Sequence, residues 1–335
     1  MSSDRPAAGK KAGFAYGVRA ALPLCVALVA FGASFGVLAR ANGFGVMAPI
    51  VMSLTTFTGA SQFATVSILG DGGGLGAAVV AAILLASREL EPFLLELGAA
   101  PKEVGIHAVE PVPWVAGMAE ESHRLIREEA LKHLRAGKWL VALGGDHSVT
   151  HPLVQAHREA LGEFSLLHVD AHADLYPEWQ GSVYSHASPF YRLLTEGFPL
   201  VQVGIRAMDR DSLRLARKRG VALFPAHRIH REGLPLDEIL EALGKRVYIS
   251  LDFDALDPSL MPSVGTPLPG GLSYRQVVDL LEAVFREKEV VGMDFVELSP
   301  NGQFHAEMTA AQLVYHAIGL KGLQAGWLSR EVDHI

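Results

Sequence analysis

The chain contains 335 residues with 29 basic and 36 acidic side chains, which gives a net charge of −7. This balance, together with the lack of a basic patch, argues against a nucleic-acid partner. The single cysteine, Cys25, excludes an internal disulfide framework and a cysteine-based zinc site.

Charge divides the chain into two unlike parts. Residues 1–88 carry six basic and two acidic side chains, net +4, whereas residues 89–335 carry 23 basic and 34 acidic ones, net −11. All the histidines lie at or beyond His107. We therefore expect two domains, 1–88 and 89–335.

Long uncharged stretches fill the first part. They predict membrane helices near 20–39 and 46–69 and a third near 73–87, because about 20 apolar residues cross a bilayer. Basic residues before the first span favour a cytoplasmic N-terminus. The alternatives are a signal peptide, whose apolar core is shorter, and a buried soluble helix, which rarely lacks a charged face.

Glycine-rich phrases in residues 17–87, such as Phe31–Gly36 and Phe57–Phe63, resemble the start of the AzlC family of branched-chain amino-acid exporters. The resemblance ends after about three helices, which is fewer than a transport path needs. A charged helix is expected next, at Ser87–Leu97.

The remainder alternates short apolar runs with helical patterns, which favours an α/β fold with a mostly parallel sheet covered by helices on both faces. One amphipathic helix is expected around 119–134. Another opens at Ser273, with Gln276 completing a capping box. The predicted strands are Trp139–Leu143, Ser165–Val169, Leu200–Val203, Val247–Leu251 and Val290–Val296.

Potential metal ligands follow three of these strands. Asp170, His172 and Asp174 are spaced two residues apart in one run, and Asp252 and Asp254 have the same spacing in another. His147 follows the first predicted strand. Side chains two apart on a strand point the same way, and sites form beyond the carboxyl ends of parallel strands. Six ligands are therefore expected to converge: His147, Asp170, His172, Asp174, Asp252 and Asp254.

Four carboxylates cannot share one site without cations, because their mutual repulsion would be severe. An oxygen-rich set with two imidazoles suits Mn²⁺ better than structural zinc or magnesium, and six ligands suit two ions per subunit. Asp170 and Asp252 are the natural bridges. His147 and Asp174 would complete one ion, and His172 and Asp254 the other. Each motif alone is also common in polar turns, so the prediction depends on their combination.

These motifs resemble the ureohydrolase family of arginases, agmatinases and their relatives, over about residues 89–325. Further matching phrases are Ser185-His186, Ser250–Pro258, Gly265–Pro267, Pro269–Gly271 and Glu297–Pro300. The resemblance implies a three-layer α-β-α fold with a binuclear manganese centre. It also implies that a metal-bridging hydroxide attacks a guanidinium carbon and releases urea and an amine. Members commonly form trimers or hexamers, so a homo-oligomer is expected.

The resemblance assigns catalytic roles to His186 and Glu297 and substrate-binding roles to Glu297 and Tyr176. His186 would donate a proton to the leaving amine, and Glu297 would hold the guanidinium. Arginases have a polar residue at the position of Tyr176, where it holds the carboxylate of the amino acid. Tyr176 therefore favours a substrate without a carboxylate, namely agmatine or an N-substituted agmatine such as aminopropylagmatine, in polyamine synthesis.

The two halves leave several functions open. The leading hypothesis is a cytoplasmic ureohydrolase domain, tethered to a membrane through residues 20–87 and lacking the family's usual first strand. Alternatives are a transport or anchoring protein fused to an inactive enzyme, and a first part that is a leader without a role. Formimidoylglutamase chemistry on the same scaffold is a further alternative, for which Arg206 is the candidate cation.

Overall fold

Six parallel strands form the sheet that carries the site. In the computed structural model, residues 90, 93–113, 115, 117–300 and 304–331 are described. The strands are β1 (Val141–Leu143), β2 (Ser165–Val169), β3 (Leu200–Val203), β4 (Ala222–Phe224), β5 (Arg246–Asp252) and β6 (Glu289–Val296).

The order across the sheet is β1-β6-β5-β2-β3-β4, and every pairing is parallel. The five predicted strands are confirmed, and β4 is an addition. Strands β5 and β2 lie in the middle and are buried on both faces, which explains their continuous apolar runs. Within the described residues, β1 is one edge of the sheet.

Eight α-helices in the described residues cover both faces of the sheet. They are α1 (Ala119–Arg135), α2 (Thr150–Leu161), α3 (Pro189–Thr195), α4 (Arg210–Arg219), α5 (Ala226–Glu232), α6 (Leu236–Ala242), α7 (Tyr274–Glu287) and α8 (Phe304–Gln324). The predicted capping box of α7 is confirmed, since Ser273 accepts from the Gln276 backbone and Gln276 caps in return.

Alternate residues of each strand feed two separate apolar cores. Leu166 and Tyr248 pack with α1 to α4 on one face, whereas Leu167 and Ile249 pack with α5 to α8 on the other. The predicted three-layer arrangement is therefore confirmed.

The expected helix at Ser87–Leu97 is wrong over residues 93–97. Leu94 and Ala99 form an antiparallel bridge instead, with the Leu94 N–H donating to the Ala99 carbonyl over 2.9 Å. Gly98 takes φ = 61° and closes the turn, which buries Leu94 and Leu97 in the core. The membrane helices expected at 20–39, 46–69 and 73–87 lie outside the described residues. Within the described part, no helix has the length and apolarity to cross a bilayer.

Candidate metal and catalytic site

The predicted ligands gather beyond the carboxyl ends of β1, β2 and β5. His147 opens a 3₁₀ turn (His147–Val149) four residues after β1, Asp170 directly follows β2, and Asp252 ends β5. The backbone between β1 and His147 can approach the sheet closely because Gly144 has no side chain. A Cβ there would lie 2.6 Å from Val149 and 2.9 Å from Val296. A glycine is therefore needed to seat His147.

The loops, rather than continuing strands, produce the convergence. Asp170–Asp174 lies after the end of β2, and Asp174 takes the left-handed φ of 50°. Asp254 lies in a 3₁₀ turn (Phe253–Ala255) whose N-terminal residue, Asp252, accepts from the Asp254 N–H over 2.7 Å. The assumption of strand alternation in these two runs is therefore wrong, although the side chains still meet.

His147 occupies the centre of one cluster. Its Nδ1 atom lies 3.0 Å from Asp170 Oδ2, 3.2 Å from Asp174 Oδ2 and 3.2 Å from Asp252 Oδ2. The imidazole is 1% exposed, and Nδ1 has no hydrogen-bond partner of acceptable geometry. A buried imidazole nitrogen aimed between three carboxylates fits a metal ligand, which would replace its proton when a cation binds.

A second cluster shares Asp170. His172 Nδ1 lies 2.9 Å from Asp254 Oδ2 and 3.6 Å from Asp170 Oδ1. Asp254 is fixed through its other oxygen, which accepts from the Ala171 N–H over 3.1 Å. The structure thus brings all six expected ligands together as two groups of donor atoms joined at Asp170.

The electrostatics show that this region requires positive charge. Burial lowers the pKa of His147, but the surrounding carboxylates outweigh burial and raise that pKa well above its usual value. The same balance raises the pKa of His172 to about 10. Burial and the neighbouring Asp254 and Asp170 raise the pKa of Asp252 well above its usual value. Two divalent cations would satisfy these carboxylates in place of protons.

His168 belongs to the site and was missed in the sequence. It is fully buried in β2, and its Nε2 atom lies 2.7 Å from Asp170 Oδ2. Gln202 contacts its other nitrogen, and Phe190 stacks on the ring at 3.6 Å. Its spacing of two from Asp170 could have found it. These contacts make His168 a support that orients Asp170.

Glu297 lies beside His147 at the end of β6. It takes φ = 65°, and its Oε1 atom accepts from the His147 backbone N–H over 2.9 Å. Burial is the main reason that its pKa rises to about 7. A carboxylate held at this depth can receive a cationic group of a substrate next to the two clusters.

His186 and Tyr176 lie on one loop that is tied to the site. The Tyr176 N–H donates to the Ala187 carbonyl over 3.1 Å, and Tyr191 N–H donates to the Asp174 carbonyl. His186 itself is exposed, and no contact with either cluster is seen among the described residues. The hydroxyl of Tyr176 faces Asp209, which raises the pKa of Tyr176.

The Arg206 guanidinium is hydrogen-bonded to backbone carbonyls of the loops around it. It donates to the carbonyls of Asp254 at 2.6 Å and Leu268 at 2.8 Å, with longer contacts to Gly204 and Ala255. An arginine used in this way cannot also bind the carboxylates of a formiminoglutamate, so the structure gives no support to that alternative.

A third histidine–carboxylate cluster lies away from this edge and comprises His316, Glu282 and Glu96. His316 Nε2 is 3.3 Å from Glu282, but Arg275 bonds Glu96 at 2.9 Å and reaches Glu282 at 3.4 Å. The arginine already supplies the positive charge. This cluster is an ion-pair network that links α7 and α8 to the segment before α1.

Comparison with known proteins agrees with this geometry. The sequence model of the arginase family matches residues 76–319. An N(1)-aminopropylagmatine ureohydrolase of Thermus thermophilus is 99% identical over 254 residues, which are 76% of this chain and 87% of that protein. The enzyme of the same name from Synechocystis is 32% identical over 251 residues, covering 72% and 81%. The agmatine ureohydrolase structure from Thermoplasma volcanium matches with a TM-score of 0.67 and 27% identity over 75% of this chain and 85% of that one.

Proposed function

The chain belongs to the arginase family, and we propose that it hydrolyses N(1)-aminopropylagmatine, a guanidino amine, to urea and spermidine. The 99% identity to the Thermus thermophilus enzyme of that name carries the proposal. The clustered carboxylates and imidazoles are side chains that can hold the metal ions needed to hydrolyse a guanidinium group. Agmatine, which shares the guanidinium and the four-carbon chain but lacks the aminopropyl group, is the second substrate to test.

We propose that the six clustered side chains hold two Mn²⁺ ions. His147 and Asp174 would serve one ion, His172 and Asp254 the other, and Asp170 and Asp252 both. Ions bound there would supply an activated water as the nucleophile at neutral pH. The unpartnered His147 Nδ1 among three carboxylates is the observation that supports this assignment.

The protein side chains then position the substrate. Glu297 would accept hydrogen bonds from the guanidinium and hold its carbon beside the two clusters. His186, on the exposed loop that Tyr176 anchors, would give a proton to the leaving amine nitrogen as the C–N bond breaks. Tyr176, facing Asp209, would place hydroxyl and carboxylate oxygens where the amine end of the substrate lies, which suits a cation and not a carboxylate.

The domain division is also a proposal. Residues 89–335 would form the hydrolase domain, a homo-oligomer in the cytoplasm, without the family's usual first strand. Residues 1–88 would form a separate AzlC-like segment that associates with membranes through residues 20–87. The charge split between the two parts supports a boundary near residue 88, whereas the arginase-family match begins at residue 76 and includes the end of the uncharged sequence. Fractionation of cells tests it: activity in the membrane pellet supports a tether, and activity only in the supernatant of intact chain contradicts one.

Metal dependence tests the proposed centre. The purified chain, freed of metal by a chelator, is expected to release no urea from aminopropylagmatine and to recover activity when Mn²⁺ is added. Asp252→Asn is expected to weaken Mn²⁺ binding and abolish recovery, because it removes a charge near both clusters. Asp211→Asn, on the exposed surface of α4, is the matched control. Full activity of the chelated protein, or of Asp252→Asn, would contradict the proposal.

A further inference from the structure

A buried carboxylate lies behind the candidate metal site. Asp294, on β6, is fully buried and pairs across the sheet with Ser250 on β5. The Ser250 hydroxyl donates to Asp294 Oδ1 over 2.6 Å, and the Tyr248 hydroxyl donates to Asp294 Oδ2 over 2.7 Å. The hydroxyl of Thr150 also faces this carboxylate.

The same serine reaches the site. Its Oγ atom lies 2.9 Å from His147 Nε2 and 3.2 Å from Thr150 Oγ1. Ser250 has a single proton to donate, and an ionised Asp294 can only accept. Burial raises the pKa of Asp294, whereas the hydroxyls of Ser250, Tyr248 and Thr150 around it favour the ionised form. With Asp294 ionised, Ser250 gives its proton to Asp294 and accepts the Nε2–H of His147. In the neutral imidazole, the form that binds a cation, this order leaves the Nδ1 lone pair directed at the space between Asp170, Asp174 and Asp252.

We propose that Asp294 is a positioning residue that acts through Ser250: it keeps the His147 proton on Nε2 and so turns Nδ1 towards the metal. The hydrogen bonds of Asp294 go to Ser250, Tyr248 and Thr150 and to none of the six candidate ligands. Asp294 therefore sets the direction of the hydrogen bonds that run through Ser250 to His147. This inference rests on the proposed function, because it assigns His147 Nδ1 to the metal.

Asp294→Asn preserves shape and removes the charge, and an amide turned with its nitrogen at the Oδ1 position donates an N–H to Ser250. The serine can then donate to His147 Nε2, which reverses the direction of the hydrogen bonds. That arrangement places the His147 proton on Nδ1, where it competes with the metal ion. We expect Mn²⁺ affinity, measured by calorimetry, to fall about 10- to 100-fold, the usual effect of disturbing the support of a histidine ligand. Ser250→Ala removes the acceptor altogether and is expected to weaken Mn²⁺ binding similarly, which keeps the test intact if Asp294→Asn does not fold.

Tyr248→Phe is the matched control. It removes the other hydroxyl from Asp294 but leaves the link from Asp294 through Ser250 to His147. We expect it to lower the unfolding temperature while Mn²⁺ affinity changes less than about threefold. A purely structural role for Asp294 predicts the opposite pattern, in which Tyr248→Phe and Asp294→Asn weaken metal binding in proportion to their loss of stability.

A spectroscopic readout separates this inference from the proposed activity. In protein labelled with ¹⁵N-histidine and loaded with diamagnetic Zn²⁺, we expect a slowly exchanging Nε2–H signal that disappears in His147→Asn. The signal should shift or vanish in Asp294→Asn and persist in Tyr248→Phe. An unchanged signal and unchanged Mn²⁺ affinity in Asp294→Asn would overturn the inference. Wild-type protein that binds metal in this arrangement but releases no urea would instead contradict the proposed function alone.

Discussion

Replacing Glu297 with Gln should separate substrate binding from metal binding. The carboxylate accepts the His147 backbone N–H over 2.9 Å through Oε1, and a glutamine can keep that bond through its carbonyl oxygen. The fold and the ligand His147 should therefore remain in place. The charge that would face the guanidinium is lost, and hydrogen bonds to charged groups contribute about 1.5–3 kcal/mol.

At about 1.36 kcal/mol for each factor of ten, that loss lowers kcat/KM roughly 10- to 150-fold. The assay is initial urea release from aminopropylagmatine at saturating Mn²⁺, with the Mn²⁺ dissociation constant measured on the same preparation. Glu241→Gln, on the exposed end of α6, is the control and should be unchanged. A Glu297→Gln variant that keeps kcat/KM within twofold, or that loses activity only because Mn²⁺ no longer binds, would contradict the role proposed for Glu297.

Three further changes have defined outcomes. His186→Asn should lower kcat about 10²- to 10⁴-fold with little change in Mn²⁺ affinity, as removal of a general acid does; unchanged kcat would exclude that role. His157 is buried, and burial lowers its pKa to about 4, so unfolding free energy should fall, by up to about 3 kcal/mol, as pH drops from about 6.5 towards 4. His157→Gln should flatten that slope in denaturant titrations. Gly292→Ala would place Cβ 2.1 Å from His157 Nε2 and should lower the free energy of unfolding by about 1–3 kcal/mol. An unchanged denaturant midpoint of unfolding would argue against this packing.

The strands were predictable because a parallel sheet buried on both faces leaves uninterrupted apolar runs in the sequence. Leu166, Leu167 and Val169 show this in β2, where every residue is buried. Strand β4, Ala222–Phe224, was not predicted, although β1 at the other edge of the described sheet is equally short. The apolar run that indicated β1, Trp139–Leu143, has five residues, whereas the run at β4 has four, 221–224, and gives a weaker signal.

The convergence of the six ligands was predictable, but not because side chains alternate along a strand. Parallel strands end at a common edge, so motifs that follow β1, β2 and β5 must lie near one another. The detailed contacts depend on loop conformation, such as the left-handed φ of Asp174. No periodic pattern encodes such a conformation.

The supports behind the site could be only partly predicted. His168 lies two residues before Asp170, at the end of the same strand, so its role could have been found by extending the spacing. Ser250 and Asp294 come from strands β5 and β6, whose register the sequence does not reveal. The prediction of a helix at Ser87–Leu97 is wrong over residues 93–97, because a turn at Gly98 lets Leu94 and Leu97 pack into the core.

The most direct test of the proposed activity is the ratio of kcat/KM for aminopropylagmatine to kcat/KM for arginine. It is measured with the Mn²⁺-loaded chain, and the products are identified by mass spectrometry. We predict urea and spermidine from aminopropylagmatine in equal amounts. The rate with arginine should be lower by at least about 100-fold, because an unpaired carboxylate would meet the Tyr176 and Asp209 oxygens in place of a cation. Comparable turnover of arginine, or no urea from either compound by metal-loaded protein, would contradict the assignment.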